Sequence, residues 1–158
     1  MFPLFSLRPA TSTDFPAIRG LIRLVQINPI DLDWQRFVIA VTPEGEMIGC
    51  GQVKPHGDGS RELASIAVTP PWRKRGVARA IIEHLTASEP GTLYLTCRAS
   101  LGPFYTRFGF KAIEQPEMPP YFRRISRLMK ALGVLHVVGE GLLVMKHDRV
   151  EFRASSED

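Results

Sequence analysis

The chain has 158 residues, enough for one compact domain and too few for two of ordinary size. Hydrophobic residues make up 44% and charged residues 23%, close to globular averages, which excludes a disordered or low-complexity chain. Twenty basic residues against sixteen acidic ones give a net charge of +4, far short of the dense basic stripe of a dedicated nucleic-acid binder.

In chain order, residues 4–8 read as a first strand. Residues 14–25 form a helix capped by Thr13, with Ile18, Leu21, Ile22 and Val25 at helical spacing. Two apolar runs, 37–41 and 47–53, flank Thr42-Pro43-Glu44-Gly45-Glu46 and make a hairpin. A strand over 62–68 stops at Pro70-Pro71. A helix over 76–87 then carries Val77, Ile81 and Leu85 as a stripe that packs on a sheet.

Residues 92–97 are a strand, and Ser100 caps a short helix that ends at Gly109. Residues 110–113 and 142–146 are the last two strands. The insert between them holds a helix over 121–132. Its apolar face is Tyr121, Ile125, Leu128 and Leu132, with Arg123, Arg124, Arg127 and Lys130 opposite. Strands alternating with helices indicate a layered α/β or α+β domain over residues 1–150, with 151–158 as a flexible tail.

No run approaches the ~18 apolar residues that a membrane helix needs. The first residues lack the pattern of a secretion signal. Two cysteines, Cys50 and Cys97, without metal spacing suit reduced thiols in the cytoplasm. His56, His84, His136 and His147 are scattered without partners, so no metal is assigned.

The chemistry concentrates where a strand ends and Trp72-Arg73-Lys74-Arg75-Gly76-Val77-Ala78 opens a helix. A helix start presents backbone N–H groups without internal partners, and its dipole favours negative charge. Gly76 and Ala78 keep bulk away, while Arg73, Lys74 and Arg75 add positive charge. Such a turn can cradle a pyrophosphate. Taken alone it serves equally as an ordinary basic loop.

The spacing Arg73-x-x-Gly76-x-Ala78 after a strand resembles the [QR]-x-x-G-x-[GA] acyl-CoA signature of the GCN5-related N-acetyltransferase (GNAT) superfamily. The run ELASIAVTPPWRKRGVARAIIEHL is similar to that family's fourth strand and third helix. Downstream, Phe104-Tyr105-Thr106-Arg107-Phe108-Gly109-Phe110 resembles its LYxKxGF segment. The resemblance implies a mixed sheet of about seven strands with helices on both faces. Strands four and five splay around coenzyme A (CoA).

It also implies roles. The amides of Arg75, Gly76, Val77 and Ala78, with Arg73 and Lys74 beside them, hold the CoA pyrophosphate. Ile66, Ala67 and Val68 pair with the pantetheine arm, and a bulge there would aim one amide at the thioester carbonyl. No residue pattern marks such a bulge.

Tyr105 matches the tyrosine that protonates the departing thiolate. Apart from the resemblance it reads as an aromatic packing residue. Glu62, six residues before Val68, matches the catalytic glutamate of the histone-acetylating branch. Its other reading is a solvated carboxylate paired with Arg61. Arg98 stands where the family often has an asparagine, seven residues before the tyrosine, and could reach a CoA phosphate or an acidic acceptor. Cys97 reads as a buried thiol, and Trp72 as packing on the helix start.

The function implied is acetyl transfer from acetyl-CoA to a primary amine by direct attack, with the acceptor open and a homodimer possible. The alternatives are a non-catalytic acyl-CoA-binding module and, last, a small basic nucleic-acid binder. No RNP, KH or helix-turn-helix signature supports the latter.

Overall fold

The computed structural model describes residues 4–132 and 141–149. His136 and the tail over 151–158 lie outside the described residues. Seven strands form one sheet: β1 (Ser6–Pro9), β2 (Phe37–Val41), β3 (Met47–Pro55), β4 (Arg61–Val68), β5 (Leu93–Arg98), β6 (Lys111–Ala112) and β7 (Leu142–His147). Their order is β1-β2-β3-β4-β5-β7-β6. Every neighbouring pair is antiparallel except β4 and β5.

Helix α1 (Phe15–Leu24) covers one face and α2 (Val77–Ser88) the other. The run Phe37-Val38-Ile39-Ala40-Val41 is buried throughout because both its faces are covered. Phe37, Ile39 and Val41 join Ile18, Leu21 and Ile22 of α1, together with Cys50 and Ala67. Val38 and Ala40 join Val77, Ile81, Ile82 and Leu85 of α2.

Ile81 and Ile82 have no exposed surface, and full burial of each such side chain stabilises by about 1.5–3 kcal/mol. The helix comes so close that a Cβ on Gly51 would lie 2.7 Å from Ile81 Cγ2 and 2.6 Å from Ile66 Cδ1. This packing fixes where the N-terminus of α2 points. No helix among the described residues is long and apolar enough to cross a membrane.

Several predicted boundaries move. The first strand is Ser6–Pro9, with Leu4 66% exposed ahead of it. Thr13 is not a cap: a 3-10 turn, Ser12–Asp14, precedes α1, and Thr11 sits at its start. The Asp14 carboxylate accepts the Thr11 N–H at 2.7 Å and both arms of Arg8 at 2.8 and 3.0 Å. Helix α3 spans Gly102–Thr106 with Leu101, not Ser100, at the cap position, and Gly109 takes the expected left-handed turn (φ +91°). β6 keeps only two residues because Phe110 turns fully into the core.

Helix α4 (Pro120–Ala131) is present, but its buried face is rotated from the predicted one. Phe122 and Ser126 are buried, while Leu128 and Leu132 are 56% and 64% exposed. Phe122 packs with Ile113, Met118 and Val144 and meets the Tyr94 ring at 5.3 Å. Arg123 is not simply solvated: its guanidinium donates to the carbonyls of Met118 (3.0 Å) and Gln115 (3.3 Å).

Candidate active site

Strands β4 and β5 share one register pair, Glu62 with Tyr94, after which the strands part. Beyond Glu62 the β5-side edge of β4 therefore has no strand partner, while its other edge stays on β3 through Ala67–Cys50 and Val68–Gly49. The register also slips: Cys50 faces Ala67 but Gln52 faces Ala64, so Ser65 and Ile66 together oppose Gly51. This is a β-bulge, and Ser65 adopts φ +59° within it. A left-handed serine costs of order 1–3 kcal/mol, offset here by surrounding contacts. Gln52, fully buried, donates from Nε2 to Ser65 Oγ at 2.9 Å.

After β4 the chain passes through a 3-10 turn, Pro70–Trp72, into the loop before α2. Lys74 (φ +61°) and Gly76 (φ +81°) are both left-handed, with Gly76 as the N-cap of α2. Left-handed residues in such a loop turn successive amides into a concave nest. Nothing lies within 4 Å of where a Gly76 Cβ would be, so glycine is needed there for its φ and it leaves the approach open. Ala80 N–H donates to Gly76 O at 3.0 Å; the first-turn amides before it have no carbonyl within the helix to meet.

Loop, β4 and α3 enclose a cleft of about 310 Å³. Its lining is Ile66 and Val68 from β4, Trp72, Arg73, Lys74 and Gly76 from the turn and loop, Val77, Ala78 and Arg79 from the first turn of α2, and Leu101, Phe104 and Tyr105 at and within α3. Ala67 points the other way, into the α1 core. Arg75 is not part of the lining, since its guanidinium lies over the Trp72 ring, 5.1 Å from the centroid. Trp72 itself meets the Phe5 ring edge-on at 6.4 Å. Arg98 is exposed at the end of β5 and is not part of the lining either.

Tyr105 packs edge-on to Phe104 and Phe110 and still faces the cleft. Burial, with the Cys97 thiol as a lesser cause, pushes its pKa up to about 12. At neutral pH it is a phenol with a proton to give. Cys97 lies in the core 3.9 Å from the Met145 sulfur, and burial raises its thiol to about 11, which keeps it neutral.

Glu62 lies outside the cleft lining, where β4 and β5 still pair. It is neither solvated nor paired with Arg61. The residue is 8% exposed, and its Oε1 lies 2.9 Å from His56 Nε2. Arg61 pairs with Glu89 instead. The histidines are thus not all without partners. His56 holds Glu62 and stacks on Tyr121, and the His147 ring packs against Phe110 at 5.2 Å.

Of the predicted residues, the structure brings Ile66, Val68, Arg73, Lys74, Gly76, Val77, Ala78 and Tyr105 into one cleft. Arg79 and Leu101 join it without having been singled out, Leu101 standing one helical turn before Tyr105 and Arg79 directly after Ala78; Phe104, part of the aromatic run around Tyr105, lines it as well.

The family profile described as "Acetyltransferase (GNAT) domain" matches residues 33–112, just over half of the chain. Among solved structures the chain resembles N-acetylglutamate synthase from Neisseria gonorrhoeae complexed with coenzyme A and N-acetyl-glutamate, with TM-score 0.72 and 20% identity. That match covers 94% of this chain and 36% of the synthase, so the chain spans about a third of the larger protein. Rv2747 from Mycobacterium tuberculosis, solved in complex with CoA, matches at TM-score 0.68 and 21% identity over 92% of this chain and 99% of its own. The ribosomal-protein-S18-alanine N-acetyltransferase from Escherichia coli matches at 0.60 and 19%, over 91% and 93%. These likenesses establish the fold. Together with the profile match and the splayed cleft, they mean that the chain belongs to the GNAT acetyltransferase family.

Proposed function

We propose that residues 1–150 act as one unit that transfers the acetyl group of acetyl-CoA to a primary amine by direct attack on the thioester. The observation that carries this reading is the continuity of the cleft, from the amide nest before α2, along the free edge of β4, to Tyr105. A diphosphate suits the open amides of Arg75, Gly76, Val77 and Ala78, with Arg73 and Lys74 supplying charge. The pantetheine arm suits the unpaired β4 edge over residues 66–68, as an added strand. The bulge at Ser65 and Ile66 offers an amide to the carbonyl oxygen, where negative charge develops.

In the transfer the amine nitrogen bonds to the acetyl carbon and the C–S bond breaks. Tyr105 gives its proton to the sulfur, and Glu62, directly or through water, takes the proton that the amine loses. Arg98, outside the cleft lining, is left to a CoA phosphate at the mouth or to an acidic acceptor. Free, buried Cys50 and Cys97 suit a reducing, cytoplasmic setting.

The acceptor belongs to the side of β4 opposite α2, where Glu62 sits. The names of the similar structures suggest an assay panel of free amino acids, glutamate among them, and peptides with an N-terminal alanine. Incubation with acetyl-CoA while following free thiol should show turnover on at least one of these. Glu62→Gln should then lower kcat roughly 100-fold with CoA binding intact, the scale of a lost general base. No turnover on any amine, together with no CoA binding by calorimetry, would defeat the reading. CoA affinity without turnover in any variant would favour the binding module instead.

A further inference from the structure

His56 lies in the turn joining β3 to β4, where its N–H donates to Ser60 O at 2.9 Å. The hairpin brings its ring against Glu62, and both side chains are largely covered, 9% and 11% exposed. A carboxylate has only acceptors, so at 2.9 Å the ring Nε2 carries the hydrogen and donates it to Oε1. Glu62 Oε2 receives no hydrogen bond from a described residue.

Three segments hold the ring in place. The Tyr121 ring stacks on it at 3.5 Å and 16°, and Phe122 meets it edge-on at 5.7 Å and 89°. Asp58, in the same turn, accepts the Tyr121 N–H at 2.9 Å, which ties the turn to the first turn of α4. The titratable groups facing His56 are thus Glu62 from β4, Asp58 from its own turn and Tyr121 from α4. A ring largely covered and held by Glu62, Tyr121 and Phe122 has little rotational freedom, and neither has the carboxylate bonded to it.

We infer that His56 is a positioning residue for Glu62: its Nε2–H pins Oε1 and leaves Oε2 as the oxygen that receives the amine proton. The inference rests on the reading of Glu62 as the base. In the step an amine N–H bond breaks and an O–H bond forms at Oε2. The His56 Nε2–H stays in place throughout, because a neutral carboxyl still accepts at Oε1.

The test separates the N–H from the ring. His56→Gln keeps an Nε2 donor the same number of bonds from Cβ but loses the aromatic stack. His56→Phe keeps the ring and loses the donor, and His56→Leu loses both. Each is compared with Glu62→Gln for kcat, for KM toward acetyl-CoA and for CoA affinity, the last also reporting that the variant is folded. Expected is a kcat within about threefold of wild type for Gln, a loss of roughly tenfold or more for Phe and Leu, and KM within about twofold throughout. The inference is overturned if Phe matches wild type while Glu62→Gln is impaired, or if Gln falls as far as Phe, the pattern of a packing role. Wild-type kcat in Glu62→Gln would instead remove the base reading on which the inference stands.

Discussion

The cleft before α2 and the corner around Glu62 are built in opposite ways. In the cleft the groups proposed to hold the coenzyme are mostly backbone: amides released by two left-handed residues and the edge of a strand whose partner has turned away. Side chains there supply charge and walls. At the Glu62 corner the backbone does ordinary pairing, and the arrangement is made by side chains from residues 56, 58, 62 and 121. A backbone cradle tolerates side-chain exchange and fails when the chain cannot adopt its φ. A side-chain cluster fails by the loss of one donor. On the proposed function, such a fold can hold one coenzyme site constant while the acceptor corner varies.

The contrast is broken most severely at Gly76. A valine at φ +81° is strained by about 1–2 kcal/mol, and its branched side chain fills the open approach to the amides. Gly76→Val should lower CoA affinity roughly 100-fold by calorimetry, equivalent to one or two charge-assisted hydrogen bonds. Unchanged affinity would remove the backbone cradle from the account.

Next in size is Tyr105→Phe, which should lower kcat by about tenfold to 100-fold with CoA affinity preserved. Its pKa, pushed up to about 12, means that deprotonation of this acid lies at far alkaline pH. The wild-type rate should therefore show no loss from this group below about pH 10. An alkaline limb near neutrality that disappears from the residual activity of Tyr105→Phe would contradict that assignment.

The smallest effect belongs to the Glu62 corner. Asp58 caps α4 from another element, since Pro119 at the cap position makes no side-chain cap bond. Asp58→Ala should reduce stability by about 0.5–1 kcal/mol, the low end for a cap because the residue is exposed. The Ser60 hydroxyl foremost, with the Tyr121 and Ser60 amides adding, lowers its pKa from 3.8 to about 2 against partial desolvation. Its contribution is therefore complete above about pH 4 and lost as pH falls through about 2, which acid melts of the two proteins would show. Equal acid curves would mean that α4 does not depend on this cap.

The two regions also differ in how far they can be read from residues alone. The cradle is contiguous, so Arg73, Gly76 and Ala78 reveal it within one short window, and the stripe of α2 predicts the packing that aims it. The bulge escapes because Ser65 is not a residue type that announces positive φ, and its support, Gln52, comes from the neighbouring strand. His56 escapes for a related reason. Its partner lies across a hairpin turn, and the contact follows only once Pro55 is paired with Arg61. The face of α4 is misjudged because a helical wheel weighs Tyr121, Ile125, Leu128 and Leu132 without the Tyr94 ring that draws Phe122 inward. Local chemistry is legible; chemistry assembled across strands needs the register.

A crystal structure of the protein with bound CoA addresses the central claim most directly. The diphosphate oxygens should lie about 3 Å from the N–H groups of Gly76, Val77 and Ala78, at hydrogen-bonding distance. A diphosphate bound elsewhere, with those amides facing solvent or closed over by Lys74 and Arg79, would contradict it.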